Sequence, residues 1–167
     1  SAGRQIMWAP WRMAYVSAEH DHEFEGPRCV FCDLPTQGDD ARALILARGE
    51  HCFVIMNAFP YASGHLMVVP YAHLDRLTDL TPDALAEMME LARASQQVLS
   101  DAMKPHGFNL GMNQGSAAGA GIADHLHLHL VPRWSGDTNF MPVTGDVRVM
   151  PQSLEESYAL LKPGFGA

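Results

Sequence analysis

His125-Leu126-His127-Leu128-His129-Leu130-Val131 alternates histidine with leucine through three full cycles. A period of two belongs to a β-strand, whose successive side chains point to opposite faces, and not to a helix, which repeats near 3.6. The three histidines therefore share one face and the leucines the other. Along an ideal strand, histidines two apart stand ~6.5–7 Å from each other, from the rise per residue. That is too far for a hydrogen bond between rings and close enough to line one centre. The leucine face is expected to sit on the core and hold the histidine face rigid. One partly buried histidine is commonly satisfied by a backbone carbonyl. Three on one face each need a partner once they leave water, which favours a functional centre over simple packing.

Working outward, further strands are predicted over Cys52-Phe53-Val54-Ile55-Met56-Asn57, His65-Leu66-Met67-Val68-Val69-Pro70 and Phe108-Asn109-Leu110-Gly111-Met112-Asn113. Pro60-Tyr61-Ala62-Ser63-Gly64 supplies turn residues between the first two. One long helix is predicted, with Thr81 as cap, Pro82 at its first position and Asp83 at the positive end of its dipole. Leu85, Met88, Met89, Ala92, Gln96, Leu99 and Met103 recur at three- and four-residue steps and form its expected apolar face. A short helix is predicted at Leu154 to Leu161. Four strands with one main helix, without a strand–helix–strand rhythm, give an α+β class.

The chain has 167 residues, 47% apolar and 18% charged, which fits one globular domain. No apolar run approaches the ~18–20 residues that cross a bilayer, and Ser1-Ala2-Gly3-Arg4-Gln5 lacks an apolar leader, so a soluble cytoplasmic protein is expected. Eleven basic residues against nineteen acidic ones give a formal charge of −8. That balance argues against polymeric nucleic acid as a partner, which draws on a dense basic surface. A small phosphorylated ligand stays compatible, because backbone N–H groups and a few histidines can hold one. Arg133, Arg4 and Arg12 are the candidates for steering a phosphate. Three cysteines do not make a disulfide framework. Cys29-Val30-Phe31-Cys32 alone reads as half a metal site, a redox dithiol or a buried pair. Cys52 reads as a buried strand residue, and His20, His22, His51 and His106 carry no assigned role.

The seven residues from His125 to Val131 resemble the signature of the histidine triad (HIT) family, His-φ-His-φ-His-φ-φ with φ apolar. Asn57, Gly64-His65, Val69-Pro70-Tyr71-Ala72-His73 and Asn113 follow the family's order and spacing. The resemblance spans roughly Cys29 to Trp134, and Gly136-Asp137-Thr138-Asn139-Phe140-Met141-Pro142 looks like a tail of bacterial relatives of the diadenosine tetraphosphate phosphorylases. It implies a HIT-like fold, an antiparallel sheet of about five strands with one main helix and short flanking helices. It divides the chain into an extension at 1–28 that packs on the body or a partner, a HIT domain at 29–134 and a tail at 135–167.

The same resemblance implies nucleotidyl transfer. His127 attacks the α-phosphorus of a nucleotide or dinucleotide and forms a nucleotidyl-histidine, while the His125 carbonyl orients its ring. Asn113 and His129 stabilise phosphoryl charge, together with the backbone of Ala120, Gly121 and Ile122, and His65 is a further phosphate contact. Val30, Phe31 and Leu34 form part of the base pocket. Asn57 stands where many relatives carry an acidic residue for the ribose. Zinc-bearing relatives imply a structural zinc on Cys29, Cys32, His73 and His125, and the family implies a homodimer.

A nucleotidyl hydrolase or transferase acting on dinucleoside polyphosphates or nucleoside monophosphate derivatives is the leading expectation, and His129, the third histidine that phosphorylase relatives commonly replace with glutamine, favours hydrolysis. Phosphorolysis is the alternative, favoured by Asn113-Gln114-Gly115 and the tail after Trp134. A nucleotide-binding protein with weak turnover is a second class. A zinc-stabilised interaction module is a third, and it gives no reason for His127 and His129.

Overall fold

Leucines 126, 128 and 130 bury one side of the triad segment, and the sheet is arranged around that segment. The computed structural model describes residues 29–119, 121–122, 124–138 and 150–166. The extension 1–28, Ala120 and residues 139–149 of the tail therefore lie outside the described residues. In chain order the elements are α1 (Val30–Asp33), β1 (Ile45–Arg48), β2 (Cys52–Met56), β3 (Leu66–Pro70), α2 (Pro82–Met103), β4 (Gly107–Gly111), β5 (Leu128–Arg133) and α3 (Leu154–Leu161). The five strands form one antiparallel sheet in the order β1-β2-β3-β5-β4.

Two apolar layers enclose this sheet. Leu126, Leu128 and Leu130 join Val54, Leu66, Val68 and the α2 residues Met88, Ala92 and Leu99 in one core. Phe31, Ile45, Phe53, Ile55, Met67 and Val69 form a second on the opposite face. Every residue of β2 and β3 is buried, which explains their unbroken apolar runs: a strand covered on both faces has no polar side to show.

Three expectations need correction. The triad strand starts at Leu128, not His125. β3 pairs only with Leu128 to Leu130, and before that point the chain turns away to bond elsewhere, the Leu126 N–H to the Leu74 carbonyl at 2.6 Å. The alternation of faces survives without the ladder. The apolar stripe of α2 keeps Met88, Ala92 and Leu99 of the expected face but takes Ala84 and Ser95 at its margin, leaving Leu85 and Met89 at 39% and 50% exposure. Four-residue steps drift from a 3.6 period, so the centre of a stripe is better marked in the sequence than its margins. The local pattern also missed β1, which has four residues and follows Leu44 at φ 60°.

Thr81 caps α2 by accepting the Ala84 N–H at 3.2 Å, with Pro82 at the first position, as predicted. One turn in, Glu87 accepts three backbone N–H groups, from Glu50, His51 and Cys52, at 2.7, 2.6 and 2.7 Å. This clasp fixes the turn between β1 and β2 to the helix and leaves no room for a side chain at Gly49. The tail returns to the body: Ser153 and Glu156 form a capping box on α3 and Leu161 is fully buried in the first core. Tyr158 Oη donates to the Ile45 carbonyl at 3.0 Å and Lys162 Nζ to the Leu46 carbonyl at 2.8 Å. Those carbonyls lie in the irregular register of β1 against β2, where an extra residue leaves strand groups needing partners outside the ladder.

Candidate active site and metal centre

The second histidine is held by the segment that leads into β5. His127 Nδ1–H donates to the His125 carbonyl at 2.8 Å, so the neutral ring keeps its lone pair on Nε2. Burial pushes the His127 pKa down, and the hydrogen bond to His125 opposes this only in part. The ring is therefore uncharged at neutral pH, the form a nucleophile requires. Phe31 packs against both His125 and His127, with ring centroids at 5.5 and 5.2 Å. Expected as a wall of the base pocket, Phe31 is buried and braces the two histidines. Its neighbour Val30 is exposed, and Leu34 is half-buried beside the second core.

A fourth histidine sets the third. His65 is 1% exposed, and its Nδ1 accepts the Tyr61 N–H at 3.0 Å. An accepting Nδ1 puts the proton of a neutral ring on Nε2, which lies 2.9 Å from His129 Nδ1 and donates to it. His129 in turn carries its proton on Nε2. His65 was expected to touch phosphate; burial and the engagement of both ring nitrogens give it instead the position of a support beneath His129. Asn57, expected at the ribose, extends this support. Its Oδ1 accepts the Phe59 N–H at 2.8 Å and its Nδ2 approaches His65 Nδ1 at 3.4 Å. The His127 and His129 rings stand edge to face with centroids 4.7 Å apart, closer than the spacing along the strand because side chains lean towards each other.

Asn113 and His129 line a common cavity of about 1090 Å³ that also includes Tyr61, Gly111 and Leu110 of the β4 edge. Gly121 is exposed and Ile122 packs on the second core. Arg133, considered as a phosphate-steering cation, is engaged elsewhere: Asp137 takes it at 2.6 Å and Asn109 Oδ1 at 2.8 Å. The Arg133 hydrogen bond holds the Asp137 pKa down at about 2. Sequence reasoning saw Tyr61 only as a turn residue, yet its ring lies over His65 and His129, with centroids at 4.6 and 5.9 Å. An aromatic residue inside a proline- and glycine-bounded turn, four residues before a histidine, was the one available signal.

Beside the triad, the ligand atoms of Cys29, Cys32, His73 and His125 all lie within 4.8 Å of one another, and these residues could hold a metal. Cys29 Sγ is 3.2 Å from His125 Nδ1, and Cys32 Sγ is 3.4 Å from His73 Nδ1. Sulfur and nitrogen ligands of a tetrahedral site sit about 3.5 Å apart, from bond lengths of about 2.3 and 2.0 Å. His125 Nε2–H donates to the Pro70 carbonyl at 2.8 Å, which leaves Nδ1 unprotonated towards the cysteines, as a ligating imidazole needs. Cys52 stays outside this group; burial pushes its thiol up to about 12, so it is inert.

The HIT domain family model matches residues 39–136. The chain belongs to the HIT family. A HIT relative, the AP-4-A phosphorylase of Mycobacterium tuberculosis, is 40% identical over 161 residues, covering 94% of this chain and 82% of that protein. The asymmetrical bis(5'-nucleosyl)-tetraphosphatase of Schizosaccharomyces pombe is 34% identical over 82 residues, 49% of this chain and 44% of its own. Among solved HIT structures, a Zn-bound histidine triad family protein from Mycobacterium smegmatis superposes with a TM-score of 0.65 at 28% identity, covering 82% of this chain and 92% of that one. No helix among the described residues is long and apolar enough to cross a membrane.

Proposed function

We propose that this chain transfers a nucleotidyl group from a dinucleoside polyphosphate to His127, and from there to an acceptor. One observation carries this reading: the His125 carbonyl fixes the His127 proton on Nδ1 at 2.8 Å and leaves Nε2 as nucleophile. With diadenosine tetraphosphate, His127 Nε2 forms a bond to the α-phosphorus as the bond to the bridging oxygen breaks, and ATP departs. His129 Nε2–H and the Asn113 amide are the donors for charge on the phosphoryl and departing oxygens. An acceptor oxygen then attacks phosphorus and restores His127, giving AMP when the acceptor is water and ADP when it is phosphate.

Hydrolysis draws support from the retained His129. Phosphorolysis draws support from 40% identity to the M. tuberculosis AP-4-A phosphorylase over 94% of the chain, and it is the acceptor favoured here. Zinc is the metal proposed for Cys29, Cys32, His73 and His125. Four protein ligands make a closed site, which supplies cross-linking and no activated water. Two-fold pairing along β4, an end strand of the sheet, and a cytoplasmic location complete the reading; a monomer by light scattering at micromolar concentration overturns the pairing.

Intact-protein mass spectrometry after rapid acid-free quenching with diadenosine tetraphosphate is expected to show an AMP-sized adduct that vanishes in His127→Ala. ADP is expected only when phosphate is present. AMP with ATP regardless of phosphate turns the assignment to hydrolysis, and neither adduct nor product removes the enzymatic reading.

A further inference from the structure

Phe59 is the most exposed large apolar side chain among the described residues, at 74%, and Tyr61, two positions on, is exposed at 42%. Both belong to the connection between β2 and β3. Water-facing aromatic rings bring no core energy and mark a contact surface; Tyr61 lies against His129 and lines its cavity, and Phe59 stands two residues away on the same connection. This connection is also held in place. The Phe59 N–H donates to Asn57 Oδ1 and the Tyr61 N–H to His65 Nδ1, at 2.8 and 3.0 Å. These are the residues that support His129, so the aromatic segment is registered to the triad, and little ordering entropy remains to be lost on binding.

The side of the site on which it stands indicates what it meets. Phe31 covers His125 and His127 from one side. Tyr61 covers His129 from another, its ring plane 29° from the imidazole, and Tyr61 and His129 both line the large cavity. With Phe31 closing one side, the cavity beside His129 and Tyr61 is the space we assign to the rest of a polyphosphate whose α-phosphorus lies at His127. The cation lining that cavity, Arg133, is paired with Asp137, so flat apolar surface is on offer there rather than unpaired positive charge.

We propose that the Phe59–Tyr61 segment is the platform for the distal base of a dinucleoside polyphosphate, so that the second nucleoside and not only the phosphate chain is recognised. This deepens the reading given above and rests on it.

The test compares diadenosine tetraphosphate with adenosine 5'-tetraphosphate, which has the same phosphate count and lacks the distal nucleoside. Wild type is expected to favour the dinucleotide in kcat/KM. In Phe59→Ala that preference is expected to fall roughly 5- to 150-fold, chiefly through KM, the range that loss of one base-stacking partner gives; Phe59→Trp is expected to keep it. An unchanged preference in Phe59→Ala, with turnover intact, overturns the platform and leaves nucleotidyl transfer standing. Equal losses on both compounds with a change in light-scattering mass also overturn it, and assign Phe59 to contact between copies. Failure of wild type to turn over either compound sinks the underlying reading, and the platform with it.

Discussion

His65 shows how a side chain shielded from water can set the proton position on one that is not. Its two nitrogens join the Tyr61 N–H to His129 Nδ1, and the tautomer of one ring dictates that of the next. Under the proposed function, His65→Ala is expected to lower kcat roughly 10- to 100-fold with little change in KM, the scale of losing an oriented proton donor. His65→Gln, whose amide can accept and donate in the same two directions, is expected to recover part of the loss. Nitrogen NMR of labelled His129 supplies the decisive readout: a proton on Nε2 in wild type and a mixture in His65→Ala. An unmixed His129 tautomer in the alanine variant sinks the relay. The sequence made the triad legible because alternation is a local property. It could not make His65 legible as a support, because the contact joins positions 64 residues apart and depends on the register of β3 against β5.

At the scale of elements, α2 is held to the sheet by packing and by one clasp. Burial raises the Glu87 pKa, but three backbone N–H bonds outweigh it and hold the carboxyl below its usual value of 4.5. A carboxylate with a depressed pKa stabilises the fold above its unfolded value, and that contribution is lost as pH falls through the folded value. Wild type is therefore expected to lose this stability below about pH 4.5, and Glu87→Gln to start about 1–2 kcal/mol less stable at pH 7 with a flatter acid limb. Urea titrations at pH 7 and pH 4 check both. Equal stability of the two proteins at pH 7 removes the clasp. The ends of α2 were readable from Thr81 and Pro82, since capping is local chemistry. The centre of its buried face, Met88, Ala92 and Leu99, was readable too, but its margins were not, because only packing on the sheet buries Ala84 and Ser95 and leaves Leu85 and Met89 exposed. β1 escaped notice for a related reason: four residues are too few to display a period.

Across the whole molecule, the cysteine pair and the triad are one mechanical unit. His125 offers Nδ1 to Cys29 and Cys32 while its carbonyl holds His127, so whatever grips the side chain also sets the ring proposed as the nucleophile. Purified protein is expected to carry about one zinc per chain by elemental analysis. Cys29→Ser with Cys32→Ser is expected to lose the metal and several degrees of Tm, and to weaken adduct formation at His127. Unaltered melting after metal removal overturns the structural role. The four residues could be assembled from sequence only through the family resemblance, since spacing alone pairs Cys29 with Cys32 and says nothing of His73 or His125.

The hydrogen bonds from Tyr158 and Lys162 to Ile45 and Leu46 have a consequence for assembly. They occupy the flank of β1, whereas β4 ends the sheet on the opposite side. Under the proposed pairing, strand addition is a one-sided valency: two chains joined through β4 use up each other's joining surface, and the growth of the sheet terminates at the pair instead of running on into a fibre.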